Sequence, residues 1–175
     1  MKENISSKST GLKDIRTLTG SSLLVAMSVI VDFFRIVISN ILEISFGFAP
    51  IALGGAIYGP IVGGIIGGIA DIIQYLVRSS GPFFPGFTLN AILTGIIYGL
   101  FLYKKEITLK RIVLCVLVEG ILITIILTPI WLNILYGAKF FAIPRIIKFV
   151  ALFPIKVSIL YALLKLLKQY KMIRQ

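Results

Sequence analysis

Histidine is absent from this chain, and cysteine occurs once, as Cys115. The first absence removes the commonest metal ligand and the commonest general base together. The second excludes an internal disulfide, so Cys115 is read as a small apolar residue in a helix. Charge is also scarce. Charged residues make up 14% of the 175 positions, against roughly 25% in a soluble domain. No run of the form GxxxxGK followed by Ser or Thr occurs, so the chain carries no phosphate-cradling loop of the Walker type. No Ser or Cys has a recognisable base partner, which argues against an enzyme; no metal and no cofactor are expected.

What is present in quantity is apolar: 58% of the residues are hydrophobic. Such a chain has too little polar surface to face water and is read as an integral membrane protein, with the lipid bilayer as its solvent. The net charge of +11 raises nucleic acid as a partner, but its distribution argues for no nucleic acid. Lys2, Lys8, Lys13 and Arg16 precede the first apolar run. Lys104, Lys105, Lys110 and Arg111 share one internal polar break, and Lys165, Lys168, Lys171 and Arg174 close the chain. Cations gathered in segments that flank spans follow the positive-inside pattern. The first apolar run is long, ends in "VDFFRIV" and lacks a small-residue cleavage site, so it is expected to be a span and not a cleaved signal.

A span needs about 20 apolar residues. On that basis six are expected: Thr17–Ser39, a short Phe48–Tyr58, Pro60–Val77, Phe87–Tyr103, Leu109–Leu135 and Phe141–Leu167. The fold class is therefore an all-α integral membrane protein, a bundle of six transmembrane helices with both termini cytoplasmic. That topology puts all three cationic clusters on one side. The organisation expected is a polar cytoplasmic segment over 1–16, a six-helix membrane domain over 17–167 and a cationic cytoplasmic tail over 168–175.

The third span reads "GPIVGGIIGGIAD", with Gly59, Gly63 and Gly67 in one row and Gly64 and Gly68 in a second. Rows of small residues four apart let membrane helices approach closely, and these are assigned to packing inside the bundle. A weaker row, Ser22 and Ala26, faces either the bundle or a partner helix.

Polar residues inside spans are functional candidates by default. Arg35, Arg78, Lys139, Arg145 and Lys148 all fall in the outer part of the expected topology. Snorkelling to the headgroups accounts for cations near helix ends. It accounts less well for Arg145 and Lys148, which with Lys156 share an arc of roughly 80° at 100° per residue. An anionic ligand entering from outside would explain them. Asp71 and Glu119 lie near mid-membrane. Either is placed to pair with Lys156, to touch a ligand or to relay a proton.

The stretch "GPFFPGFTLN" (81–90) interrupts the apolar sequence with two prolines, two glycines and three phenylalanines. Prolines stop helices and glycines allow tight turns. Phe84 and Phe87 then stand at the outer rim, with Asn90 about one turn inside. The outer end of the fifth span, "TPIWLNILYG", adds Trp131, Asn133 and Tyr136 after Pro129. An aromatic belt explains some of these rings, but not the two asparagines. Rings to stack on, amides to bond an edge and nearby cations suit a planar, polar, anionic small molecule.

"FFPGFTLNAILTGIIYGLFLY" (83–103), "LTPIWLNILYG" (127–137) and "FGFAPIALGGAIYGPIVGGIIGGIADIIQYL" (46–76) together resemble the folate-specific S component, the substrate-binding subunit, of energy-coupling factor (ECF) vitamin transporters. The resemblance covers the chain from about residue 17. It implies a protein of the bacterial cell membrane that captures folate or a reduced folate from outside. It further implies delivery to a transmembrane coupling subunit carried by two ATPase subunits of an ECF module. Small residues in the first helix dock such proteins on the coupling subunit, which assigns partner docking to Ser22 and Ala26. In similar proteins the ligand lies among the outer helix ends. The substrate-binding residues implied are Arg78, Phe84, Phe87, Asn90, Trp131, Asn133, Tyr136, Arg145 and Lys148. The rings would wall the pterin, the asparagines would bond its edge or the amide, and the cations would hold the glutamate carboxylates. The alternatives are an S component for another vitamin and a self-sufficient secondary carrier.

Overall fold

The computed structural model of the chain describes residues 14–39, 42–78, 81–137 and 143–169, with side chains described at all of these except 36–39, 42–44, 143–146 and 148. Among the described residues the elements run α1 (Ile15–Asp32), β1 (Ile36–Ser39), β2 (Leu42–Ile44), α2 (Phe48–Tyr58), α3 (Pro60–Val77), α4 (Pro85–Leu102), α5 (Leu109–Glu119), a π-helical segment (Gly120–Leu127), α6 (Thr128–Tyr136) and α7 (Ile143–Gln169). Five helical stretches are long and apolar enough to cross a membrane, counting Leu109–Tyr136 as one; Phe48–Tyr58 is a shorter apolar helix. Most of the polar segment expected over 1–16 and of the tail over 168–175, and Lys139, lie outside the described residues.

Local chemistry sets the helix ends. The Asp14 side chain caps α1 by accepting from the Arg16 amide at 3.2 Å. Within α1 the hydroxyls of Thr19 and Ser22 donate to carbonyls four residues back, and Ser21 to the carbonyl three back. Each hydroxyl is thereby satisfied without water. Gly59, at φ 95°, ends α2, and Pro60 opens α3 at once. A left-handed residue followed by a proline makes the shortest break that can reverse two packed helices. Thr108 caps α5.

The first span is shorter than the sequence predicts. α1 stops at Asp32 and the segment expected to continue it to Ser39 forms β1 instead. Phe33, Phe34 and Arg35 each donate to the carbonyl three residues back, which tightens the last turn and ends the helix. The β-branched run Ile36–Ile38 then suits a strand. It pairs antiparallel with β2, Ile36 opposite Ile44 and Val37 opposite Glu43. Apart from this hairpin, the described residues are helices and their connections.

α3 and α4 share the most extensive interface, and α2 packs on both. Their glycines make it possible. A Cβ on Gly95 would strike the Gly63 carbonyl, one on Gly67 the Ala91 carbonyl, and one on Gly99 the Pro60 backbone. The glycine rows thus pack inside the bundle, as the sequence predicts. Tyr98, Ile66, Leu102, Ile112, Leu160 and Leu164 are fully buried. The outward faces are apolar too, with Leu23, Ile30, Ile61, Leu76 and Ile147 exposed. A helical bundle that is apolar on the outside as well as the inside is suited to hydrocarbon.

Candidate functional site

A cavity of about 390 Å³ opens at the end of the bundle that carries the hairpin and the 81–84 loop. That volume is within the range of small-molecule pockets. Its mouth is formed by Arg35, the end of α3 at Gln74 to Arg78, the loop from Gly81 to Phe84, and Tyr136. One or two turns deeper it reaches Ile51, Asp71, Thr94, Glu119 and Lys156.

The 81–84 loop is built from rings and one special glycine. Gly81 has φ 133°, which side chains with a Cβ rarely adopt. A Cβ there would also come 3.0 Å from the Tyr136 hydroxyl. Phe83 packs on Tyr75 at 5.1 Å between ring centroids. Phe84 sits between Phe87 at 5.9 Å and Trp131 at 5.8 Å. These separations suit edge-on and tilted aromatic pairs. Gly86 lets the loop close, because a side chain there would meet both Phe84 and Trp131.

A polar network ties the mouth together. Asp32 accepts from the Ser45 hydroxyl at 2.6 Å and pairs with Arg35 at 3.5 Å. The Gln74 amide donates to the Ser28 carbonyl and hydroxyl at 3.1 and 3.0 Å, and the Ser28 hydroxyl donates to the Gly47 carbonyl at 2.9 Å. Arg35 Nη2 donates to the Arg78 carbonyl at 2.9 Å, and Arg78 Nη1 to the Phe33 carbonyl at 2.8 Å. The C-terminal ends of α1 and α3 and the start of α2 are thus one hydrogen-bonded unit.

Deeper, Lys156 Nζ donates to both carboxylate oxygens of Glu119 at 3.0 Å. It also lies 5.1 Å from the centroid of the Phe48 ring. Of the two acids open to Lys156 in the sequence, the structure pairs it with Glu119; Asp71 accepts from the Thr88 hydroxyl at 2.7 Å. The π-helical segment follows Glu119 directly. Pro129 has no amide hydrogen to give to the carbonyl four residues back. The chain ahead of it is wound with the wider turn, and the Thr128 hydroxyl donates to the Ile123 carbonyl at 2.6 Å. Ile123, Thr124 and Thr128 from this stretch all line the cavity, which matches the frequent use of π-turns at functional sites.

The structure brings Arg78, Phe84, Phe87 and Tyr136 together at the cavity wall. Asn90 and Trp131 stand behind that wall. Trp131 Nε1 donates to Asn90 Oδ1 at 3.0 Å, and Asn90 Nδ2 donates to Thr128 Oγ1 at 3.2 Å. Their polar atoms thus bond each other and Thr128, while the Trp131 ring supports Phe84. Asn133 is exposed and does not line the cavity. The side chains of Arg145 and Lys148 lie outside the described residues. Ser22 and Ala26 are exposed on α1, so this row faces away from the bundle. Sequence reasoning did not single out Gln74 or Tyr75. Their signal was the spacing Asp71, Gln74/Tyr75, Arg78, a polar stripe at three and four residues along an apolar helix.

A family model described as "ECF transporter, substrate-specific component" matches residues 16–170. The folate transporter FolT of Clostridium novyi (strain NT) is 30% identical over 166 residues, which span 94% of this chain and 96% of that protein. The folate transporter FolT of Leuconostoc mesenteroides subsp. mesenteroides is 32% identical over 134 residues, 72% of each chain. Among solved structures, a crystal structure of FolT bound with folic acid superposes with a TM-score of 0.79 at 42% identity, covering 84% of this chain and 90% of that one.

Proposed function

The chain belongs to the family of ECF transporter substrate-specific components, and from that premise we propose that it binds folate, or a reduced folate, and delivers it for ATP-driven uptake. The observation that carries this reading is the cavity. It joins a cluster of aromatic rings to two guanidinium groups at one end of the bundle, in a fold similar to that of a FolT bound with folic acid. Folate is a planar pterin joined through a benzoyl ring to a glutamate with two carboxylates. Phe84 and Phe87 offer apolar faces to its rings, with Trp131 and Asn90 holding them from behind. Tyr136 closes the rim. Arg78, by bidentate pairing, together with Arg145 and Lys148, suits the carboxylates. Asn133 is left for a contact made outside the cavity.

In this reading the chain crosses the membrane six times, with α2 as the short span and both termini cytoplasmic, so that the cavity faces outward. The absence of a Walker motif assigns ATP use to other subunits. Ser22 and Ala26, small and exposed on α1, suit close docking of a transmembrane coupling subunit.

Equilibrium binding to the purified protein, with folic acid, riboflavin, thiamine and biotin compared, tests the substrate. Saturable folic acid binding is expected; tight binding of another vitamin in its place refutes the assignment. Liposomes with and without the coupling and ATPase subunits test the mode of transport. Folate accumulation by the protein alone would establish the self-sufficient carrier instead.

A further inference from the structure

We propose that α7 is hinged at Pro154, and that the part before the hinge, residues 143–153, is a moving wall of the cavity. The hinge does not depend on which small molecule the cavity takes; folic acid serves only as the probe.

α7 runs from Ile143 to Gln169 with Pro154 inside it. Pro154 has no amide hydrogen for the Val150 carbonyl, and its ring crowds that carbonyl. Helices bend at such points. The parts on either side are held very differently. After the proline, Val157, Leu160 and Leu164 are buried in one core with Ile112, Cys115 and Val116 of α5. Before it, none of the described side chains is buried. Ile147 and Val150 are 64% and 63% exposed, and Phe149, Leu152 and Phe153 are half-buried. A segment with few buried apolar contacts opens at low free-energy cost, whereas one packed into the core does not.

The neighbouring rod changes its winding at the same level. Lys156, two residues after the proline, ties α7 to Glu119, the last residue of α5. Gly120 follows and opens the π-helical segment. It lies against the Phe149 ring, which a Cβ on Gly120 would strike. Phe149 in turn packs on Phe153 at 5.6 Å between ring centroids. Phe149 and Leu152 of α7, and Ile123, Thr124 and Thr128 of the rod, all line the cavity. Prolines and π-turns are both sites where helices deform. The ion pair therefore marks a pivot. On one side of it are regular helices packed through a buried core; on the other are two deformable walls of the cavity. A swing of residues 143–153 widens or narrows the cavity and leaves the α5–α7 core in place, as hinge motions do.

Pairs of spin labels measure the swing, in a Cys115→Ala background that removes the native thiol. L76C/V150C reports on the part before the hinge and I61C/L166C on the part after it; all four positions are exposed. Without ligand, L76C/V150C is expected to give a broad distance distribution that folic acid narrows. I61C/L166C is expected to give one narrow distance that folic acid leaves unchanged. Pro154→Ala supplies the missing amide. It should narrow the L76C/V150C distribution without ligand, and slow folic acid binding and release together by about tenfold, with affinity nearly unchanged. Gly120→Ala presses a methyl on Phe149. It should lengthen the L76C/V150C distance and speed release, and it keeps the test decisive if Pro154→Ala fails to fold. A single L76C/V150C distance that none of these changes moves, or both pairs shifting together, overturns the hinge. Protein that binds no folic acid but still responds to Pro154→Ala or Gly120→Ala keeps the hinge and overturns the folate reading instead.

Discussion

Arg35 and Arg78 hold each other's chain: each guanidinium donates to a backbone carbonyl of the other's segment, Arg35 to Arg78 itself and Arg78 to Phe33, at 2.9 and 2.8 Å. The two residues are 43 positions apart, at the ends of α1 and α3. The clasp fixes the chain just ahead of the hairpin against the end of α3, at the rim of the cavity.

Removing one half of the clasp tests its weight. Arg35→Gln is expected to destabilise the protein by about 1.5–3 kcal/mol, the usual worth of a hydrogen bond from a charged group. Hydrogen exchange should then accelerate around residues 33–35 and 78 while the α3–α4 interface stays protected. Uniform acceleration throughout would mean that the arginines support the whole bundle.

The Glu119–Lys156 pair makes a different prediction. Lys156→Met strands the Glu119 carboxylate, which is only 5% exposed, and is expected to cost about 3–5 kcal/mol of stability. E119Q/K156M removes both charges and should recover most of that loss. Thermal unfolding in detergent of the single and double variants measures the difference. A double variant no more stable than the single one would show that the pair is not a unit.

Close helix approach is tested at Gly95. Gly95→Val forces a side chain into the Gly63 backbone and should cost about 1–3 kcal/mol or more, as overpacking does. Gly137 is the control. It has φ 60° and open space around its would-be Cβ, and Asn tolerates that conformation. Gly137→Asn is expected to leave the unfolding temperature nearly unchanged.

Phe84 and Phe87 line the cavity from neighbouring positions, with Trp131 supporting Phe84. Phe84→Ala removes one wall of the cavity. It is expected to weaken folic acid binding by about tenfold, or 1.4 kcal/mol, chiefly through faster release. Trp131→Ala also leaves Asn90 Oδ1 without its donor and should weaken binding at least as much. Stopped-flow release and equilibrium titration separate the two effects; unchanged values in both variants would place the ligand elsewhere.

Docking is tested on the opposite side of α1 from the core. Ser22→Leu and Ala26→Leu enlarge exposed positions, so folding and folic acid binding should be unaffected. Uptake in liposomes containing the ECF subunits should fall sharply. Unimpaired uptake would remove this row from the docking surface.

Much of the fold was legible because the bilayer imposes simple constraints. Runs of apolar residues long enough to span it marked α3 and the α5–α6 rod almost to the residue. The Gly59–Pro60 break and Pro82 and Pro85 around the 81–84 loop marked the turns, since each removes or permits one backbone conformation. The exception is instructive. Residues 33–39 are as apolar as the helix before them, and only the tightened turn at Asp32 and the pairing of Ile36 with Ile44 make them a hairpin. Hydropathy alone does not distinguish a strand from a helix over so short a run.

The sequence by itself determined the membrane class, because composition carries it, and pointed to the family through the resemblance of three of its motifs. Only the tertiary structure decided which polar groups meet. It turned Asn90 toward Trp131 and Thr128, gave Lys156 to Glu119 and brought Arg35 to Arg78. Those pairings depend on how far each helix is rotated about its own axis. That rotation is set by glycine faces locking α3 to α4 and by the π-helical winding before Pro129, which shifts every later residue of the rod around the axis.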